Sequence, residues 1–188
     1  MTEKVFLALD TETTGFDYKR ESVITQIAAV AVGWESKRFL SQGTMQVKLT
    51  SEEIQLFAKE AMDVQAWTPE INETGIPLAD CVAQFKAWAA PWDSYGFVAH
   101  CARFDRTFVL KHSFADVQVP WYCTKQGMLM LEKSKGFTFP DHKLCTLAAA
   151  CGYKPEKEHQ ALEDVLACAN GFLWLCSQGV SPEQMRIN

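Results

Sequence analysis

The sequence lacks the features that mark membrane and secreted proteins. No apolar run approaches the ~20 residues that a membrane-spanning helix needs, and residues 1–9 have neither the basic start nor the long apolar centre of a secretory signal. The seven cysteines form no Cys-X-X-Cys pair, and His142, Cys145 and Cys151 are spaced too irregularly for a zinc site. We therefore expect a cytoplasmic protein in a reducing compartment, with free buried thiols and no membrane partner.

Positive charge is also in short supply, since 18 Lys and Arg face 23 Asp and Glu for a net charge of −5. This balance argues against a protein that holds nucleic acid mainly by broad counterion release. It leaves room for one that binds a short stretch through metal ions and a local basic patch. The length of 188 residues suits one well-filled domain, so we expect residues 1–188 to form a single unit.

The stretch around which the chain is organised is Val5–Gly15. Its first half is a continuous apolar run that predicts a buried strand. Side chains at i and i+2 of a strand share a face, so Asp10 and Glu12 project together. Two adjacent carboxylates repel each other unless a cation lies between them. The stretch is therefore either a strand that ends in a solvated acidic turn or half of a divalent-cation site.

The remaining pattern predicts one α/β domain, because strands come first and helices then alternate with strands. Beyond the first strand, strands are expected at 23–33, 44–49, 96–99 and just after 121. Helices are expected at 51–61, 78–90, 103–111, up to 135, 143–151 and 160–176, with a loop at 68–77.

Two further acidic stretches stand out. Asp105 lies in the first turn of a predicted helix that follows an apolar strand. His159 and Asp164 are five residues apart, which within one helix would leave their side chains ~140° apart. They converge only if His159 lies on the preceding loop and Asp164, which interrupts an apolar stripe, lies inside the helix. Each residue alone has an ordinary interpretation as a cap or a solvated loop residue, whereas three such stretches in this order favour a common site.

With these three motifs, the sequence resembles the DEDDh 3′–5′ exonucleases of the DnaQ-like group. The matching positions are Asp10, Thr11, Glu12, Thr13, Thr14, Gly15, His100, Ala102, Phe104, Asp105, His159, Ala161, Leu162 and Asp164. The resemblance spans residues 5–170 and implies an RNase H-like fold, with a five-stranded mixed β-sheet flanked by α-helices and a site at the strand ends.

The resemblance also implies the chemistry of that site. Asp10, Glu12, Asp105 and Asp164 would hold two Mg²⁺ ions, for which Mn²⁺ could substitute, and His159 would be the general base. Two metals ~4 Å apart stabilise the entering and leaving oxygens of an in-line displacement. A neutral imidazole, with a pKa of ~6.5, suits proton removal from water near neutral pH.

Substrate contacts follow from the same resemblance. Backbone at Thr13 and Gly15 would approach the terminal nucleotide, and Phe16 is either a wedge between the last two bases or a core aromatic. Arg103, like the nearby arginine at 106, either meets a phosphate or is a solvated helix residue. Cys101 stands where family members usually carry Asn, which commonly helps to position the substrate. The difference therefore bears on substrate preference and not on the metal ligands. His100 is expected to be structural, or to support the metal ligands from outside the site, rather than to be catalytic.

The expected function is metal-dependent hydrolysis at the 3′ end of nucleic acid, releasing nucleoside 5′-monophosphates. Single-stranded DNA is the first candidate substrate and RNA the second. The alternative is a catalytically silent nucleic-acid-binding or scaffold module on the same fold, since fold alone does not settle function. By analogy with relatives, further partners would be a second copy in a homodimer, or a polymerase or other DNA-processing protein.

Overall fold

The computed structural model describes residues 3–16, 22–156 and 160–187, and a mixed β-sheet forms its centre. The strands among these residues are β1 (Val5–Thr13), β2 (Ile24–Gly33), β3 (Phe39–Gln46), β4 (Ser94–Ala99), β5 (Trp121–Cys123) and β6 (Arg186–Ile187). Their order in the sheet is β3-β2-β1-β4-β5-β6. The central strand β1 pairs antiparallel with β2 and parallel with β4.

The continuous apolar run of β1 is buried on both faces of the sheet. Val5, Leu7 and Leu9 join one core cluster, and Phe6 and Ala8 join the other. All five side chains are at most 3% exposed. Because both faces are covered, the first polar side chains on β1 appear where the strand leaves the core, and this end carries the acidic motif.

Helices cover both faces of the sheet. They are α1 (Ser51–Gln55), α2 (Lys59–Val64), α3 (Pro69–Thr74), α4 (Leu78–Ala89), α5 (Arg103–Lys111), α6 (Thr124–Lys135), α7 (Leu144–Cys151), α8 (Ala161–Ser177) and α9 (Pro182–Met185). Residues of α4 and α5 complete the core on one face, and residues of α6, α7 and α8 complete it on the other. None of these helices has both the length and the apolarity to cross a bilayer.

The prediction of an α/β fold with a mixed sheet flanked by helices is confirmed. The predicted strand count was wrong by one, because the described part of the chain contains six strands. The additional strand, β6, is only two residues long and pairs antiparallel with β5. A segment this short carries no hydrophobic period that a sequence could display.

The helix predicted over 51–61 is broken in two. The chain leaves the helix at Leu56 and re-enters it after Ala58, whose backbone is extended. The Ala58 N–H donates to the carbonyl of Thr14 at 2.9 Å. This hydrogen bond links the break to the turn after β1, and no local pattern in the sequence shows it.

Two other boundaries differ from the prediction. The third strand occupies Phe39–Gln46 rather than 44–49, because its pairing with β2 selects the register. The expected loop at 68–77 contains the short helix α3, which begins with Thr68 accepting a hydrogen bond from the Ile71 N–H.

The cysteines are free, as expected, but they are not uniformly buried. Cys81, Cys123 and Cys168 are buried, whereas Cys101 and Cys145 are exposed. Cys101 is exposed because it lies in the turn between β4 and α5, beyond the end of the sheet.

Candidate active site

Three carboxylates converge where β1 meets α8. Asp10 and Glu12 lie two residues apart on β1, and Asp164 lies in the first turn of α8. One oxygen from each side chain can be chosen so that all three lie within 4.8 Å of one another. The predicted pairing of the first and third motifs is therefore realised in space.

The protein environment opposes ionisation of these acids. The pKa of Asp10 is raised well above its ordinary value, first by burial and then by the charges of Asp105, Glu12 and Asp164. Burial, followed by the charges of Asp164 and Asp105, raises the pKa of Glu12 to about 7. A hard divalent cation would relieve this repulsion, and carboxylate oxygens are the ligands that Mg²⁺ prefers. The donor set thus fits a divalent metal site.

Asp105 lies in the first turn of α5 and is hydrogen-bonded to β1 through Thr11. Its Oδ1 accepts hydrogen bonds from the Thr11 N–H at 3.0 Å and the Thr11 hydroxyl at 2.8 Å. Thr11 alternates with Asp10 and Glu12 along the strand, so its side chain faces away from theirs. Burial raises the pKa of Asp105 to about 7, and the bonds from Thr11 oppose that rise. Asp105 is not one of the three residues whose carboxylate oxygens converge. Its role as a metal ligand stays a prediction.

The third motif lies only partly within the described residues. Asp164 is inside α8, which begins at Ala161, as its apolar surroundings predicted. His159 lies outside the described residues, so its role as general base stays a prediction. The loop before it is tied to the same helix, since the Tyr153 hydroxyl donates to Glu163 Oε2 at 2.9 Å.

Phe16 lies next to the acidic group and faces solvent. Its side chain is 87% exposed, which excludes the core-aromatic interpretation. Its ring lies 6.1 Å from that of Phe104, centroid to centroid. Together with Glu12, Thr13 and Gly15, these rings line a cavity of about 160 Å³. An exposed aromatic ring beside a cavity of this kind can stack on a nucleobase.

His100 is structural, as its sequence context predicted. Its Nε2–H donates to the carbonyl of His142 at 3.0 Å, so Nδ1 accepts from the Thr124 hydroxyl at 2.9 Å. Burial lowers its pKa to about 4, which keeps the ring neutral at physiological pH. Both nitrogens are therefore used, one in holding the end of β4 against α6 and the other against the segment before α7.

The family model for RNase T, described as an exonuclease, matches residues 7–172. The chain belongs to this exonuclease family. The match includes all three acidic motifs, and the resemblance to DEDDh exonucleases is confirmed. No curated protein sequence matches this chain.

Solved structures of exonucleases share the fold. Exonuclease X, in complex with 5′-overhanging duplex DNA, aligns over 96% of both chains with a TM-score of 0.69 and 20% identity. The nuclease domain of 3′hExo, a DEDDh family member bound to rAMP, aligns over 99% of this chain and 96% of its own, with a TM-score of 0.76 and 11% identity. E. coli exonuclease I with a dT13 oligonucleotide gives 0.76 at 16% identity, and the match covers 96% of this chain but 42% of that one. These likenesses establish an RNase H-like exonuclease fold.

This member of the RNase T family has an exposed Cys101 in the second motif, with a φ of 48°. That φ lies in the left-handed region, which costs most residue types energy and which Asn tolerates better. Cys101 thus lies at a position whose backbone favours Asn, the residue that the resemblance to DEDDh exonucleases led us to expect there. Arg103, two residues later, is exposed at the start of α5. Whether it contacts phosphate stays a prediction.

Sequence reasoning missed the glutamines around Glu12. Gln65 Nε2 donates to the Thr13 carbonyl at 2.8 Å, and Gln65 Oε1 accepts from the Thr25 hydroxyl at 2.7 Å. Gln65 and Glu12 line both the Phe16 cavity and a second cavity of about 230 Å³ that also includes Gln26. A signal was available for Gln26, which interrupts a β-branched apolar strand with a neutral polar side chain.

Proposed function

We propose that this protein is a metal-dependent 3′–5′ exonuclease that releases nucleoside 5′-monophosphates, with single-stranded DNA as its preferred substrate. The observation that carries the proposal is the convergence of Asp10, Glu12 and Asp164 at the end of a buried strand. Burial and mutual repulsion raise the pKa of Asp10 and Glu12, so the cluster is poised to exchange protons for metal ions.

The residues that would hold two Mg²⁺ or Mn²⁺ ions are Asp10, Glu12, Asp105 and Asp164. When bound, these ions would lower the pKa of the attacking water and neutralise charge that develops on the phosphate oxygens. The four carboxylates match the four positive charges of two such ions. Thr11 holds one oxygen of Asp105, which leaves the other oxygen for the site.

His159 would accept the proton of the attacking water. A general base with a pKa near neutrality contributes on the order of 10²- to 10⁴-fold in rate. The hydrogen bond between Tyr153 and Glu163 anchors the described part of the preceding loop to the helix that carries Asp164.

The terminal nucleotide would lie across the turn after β1. The exposed Phe16 ring supports a stacking role between the last two bases, while Thr13 and Gly15 border the sugar. Cys101 and Arg103 lie at the turn into α5, where they would influence binding of the adjoining strand. Stacking does not depend on base identity, so we propose digestion with little sequence preference.

One observation favours a free single-stranded end. The net charge of −5 disfavours a broad phosphate-binding surface of the kind that a duplex engages. Structural neighbours bind a dT13 oligonucleotide, 5′-overhanging duplex DNA and rAMP, which supports nucleic acid as the substrate class without separating single strand from duplex. A homodimer, or docking to a polymerase or other DNA-processing protein, stays a prediction that light scattering and pull-down assays can address.

The proposal is tested with 5′-labelled single-stranded DNA and RNA of matched sequence, incubated with Mg²⁺, Mn²⁺ or chelator. We expect a ladder that shortens from the 3′ end only with metal, mononucleotide 5′-phosphates as products, and faster loss of DNA. The Asp164→Asn variant should bind the same DNA without shortening it. Binding without shortening in the wild-type protein would instead support the silent binding module.

A further inference from the structure

A ladder of polar side chains crosses the sheet beside the carboxylate cluster. Glu12 on β1 is paired directly with Gln26 on β2, and Gln26 is paired with Gln46 on β3. Directly paired residues in a sheet project from the same face with their Cβ atoms ~5 Å apart. The three side chains also line one cavity of about 230 Å³. Gln26 is therefore the immediate cross-strand neighbour of Glu12.

Gln26 also contacts the helix that carries Asp164. Its Oε1 accepts a hydrogen bond from the Ala161 N–H at 3.1 Å, and its Nε2 donates to Gln46 Oε1 at 3.3 Å. Gln46 is oriented in turn by its own Nε2, which donates to the Thr25 carbonyl at 2.8 Å. The Ala161 N–H at one end and the Thr25 carbonyl at the other therefore fix which way the two glutamine amides point. The oxygen of Gln26 faces α8 and its nitrogen faces β3.

The Ala161 N–H needs such an acceptor. It is among the first four N–H groups of α8, none of which has a partner within the helix. Asp164 follows within the same turn, where its N–H donates to the Gln160 carbonyl at 3.0 Å. The Gln26 bond therefore fixes the first turn of α8 directly opposite Glu12.

Gln26 lies beside three carboxylates. Asp10 and Glu12 on β1 and Asp164 on α8 bring one oxygen each within 4.8 Å of one another, and carboxylates this close repel each other when they are ionised. A neutral acceptor at position 26 holds the helix in place without adding a fourth negative charge to the face.

We propose that Gln26 is a positioning residue for the metal site, because it sets the spacing between Glu12 and Asp164 by holding the start of α8 against β2. The inference rests on the proposed function and deepens it. Residues that orient metal ligands in this way typically change metal affinity or activity by ~10- to 100-fold when they are replaced.

The first test uses Gln26→Met, which keeps length and approximate volume but removes both hydrogen bonds. We expect Mn²⁺ binding, measured by electron paramagnetic resonance, to weaken by on the order of 10-fold. Amide hydrogen exchange measured by NMR should become faster at Ala161. With DNA as substrate, kcat should fall while KM stays close to the wild-type value. The same Gln→Met change at the exposed Gln42 on β3 is the matched control and should alter none of these quantities.

A second pair of variants tests the hydrogen bond itself. Gln26→Glu retains an acceptor for the Ala161 N–H, so exchange at that amide should stay slow. Gln46→Met leaves that acceptor in place but removes the group that orients it, so its effect on Mn²⁺ affinity should be smaller than that of Gln26→Met. These two variants also keep the test available if Gln26→Met does not fold.

The proposal is overturned if Gln26→Met binds Mn²⁺ as tightly as the wild type, or if the Gln42 control weakens it equally. Faster exchange at Ala161 with unchanged Mn²⁺ affinity would also overturn it, because the anchor would then not position the site. Metal binding and hydrogen exchange do not require turnover. Failure of the proposed exonuclease activity would therefore be distinguishable from failure of this inference.

Discussion

Thr11 donates two hydrogen bonds to the same oxygen of Asp105, one from its backbone N–H and one from its hydroxyl. The bonds cross 94 positions of sequence and join β1 to α5. They hold a buried carboxylate beside Asp10 and Glu12 and favour its charged form against the effect of burial. The Thr11 hydroxyl thereby opposes part of the rise in pKa that burial causes at the fourth acid of the motif.

Replacing Thr11 with Val tests this relationship, because it removes the hydroxyl and keeps the backbone bond. The pKa of Asp105, already raised to about 7, should rise further. We expect the metal-dependent rate at pH 7 to fall several-fold and to recover as the pH is raised. The control is Thr107→Val on α5, the helix that carries Asp105, where the Thr107 hydroxyl donates to the carbonyl of Arg103. A pH–rate profile identical to that of wild type would contradict the assignment.

The stability of the metal-free protein should depend on pH in a defined direction. The pKa of Glu12 rises from 4.5 to about 7 on folding, and that of Asp10 rises as well. Below pH ~4.5 both states hold the Glu12 proton, so no penalty applies. As the pH rises from there to 7 the unfolded state loses this proton first, and the free energy of unfolding decreases.

Thermal unfolding in chelator at pH 5 and pH 8 measures this effect. The wild-type protein should lose more stability between the two values than Asp164→Asn, which lacks one of the interacting charges. Added Mg²⁺ should restore stability at pH 8 in the wild type alone. Equal losses in the two proteins would show that repulsion among these acids is not the cause.

Phe16→Ala should weaken nucleic-acid binding without affecting the fold, since the ring is 87% exposed. Stacking contributes ~1–3 kcal/mol per base, so we expect roughly a 10-fold weaker dissociation constant for single-stranded DNA. Fluorescence anisotropy in chelator measures binding without turnover. Phe137→Ala, another exposed aromatic, is the control and should bind normally. Unchanged affinity in Phe16→Ala would exclude stacking of this ring between the last two bases.

Cys101→Asn should stabilise the protein by up to ~1 kcal/mol, because Asn tolerates the left-handed backbone at φ 48° better than Cys. Urea unfolding measures this gain, with Cys145→Ser as the control at another exposed thiol. The same change should alter DNA affinity or the preference between DNA and RNA while activity persists. If both stability and preference are unchanged, this position has no special role.

The parts of the fold that were predictable are those with a local signal. The apolar run placed the start of β1, and the periodicity of α4, α5 and α8 placed both ends of these helices within a residue. The position of Asp164 inside a helix followed from the apolar stripe that it interrupts. These signals are short-range, and each can be recognised without knowing which other strand or helix the element packs against.

The parts that were missed depend on long-range hydrogen bonds. The Ala161 N–H meets Gln26 across 135 positions, and no local period records that contact. The break between α1 and α2 likewise follows from a bond to Thr14. The strained Cys101 backbone and the exposure of Phe16 become visible only once the turn geometry is known.

Metal-dependent exonuclease activity is tested most directly by a single-turnover reaction started by metal. Labelled single-stranded DNA is bound to the wild-type protein and to Asp164→Asn in chelator, and Mg²⁺ is then added in excess. We expect rapid loss of the 3′-terminal nucleotide in the wild type and none in the variant, although both bind the DNA. Shortening by Asp164→Asn at the wild-type rate, or shortening by the wild type before Mg²⁺ is added, would contradict this expectation.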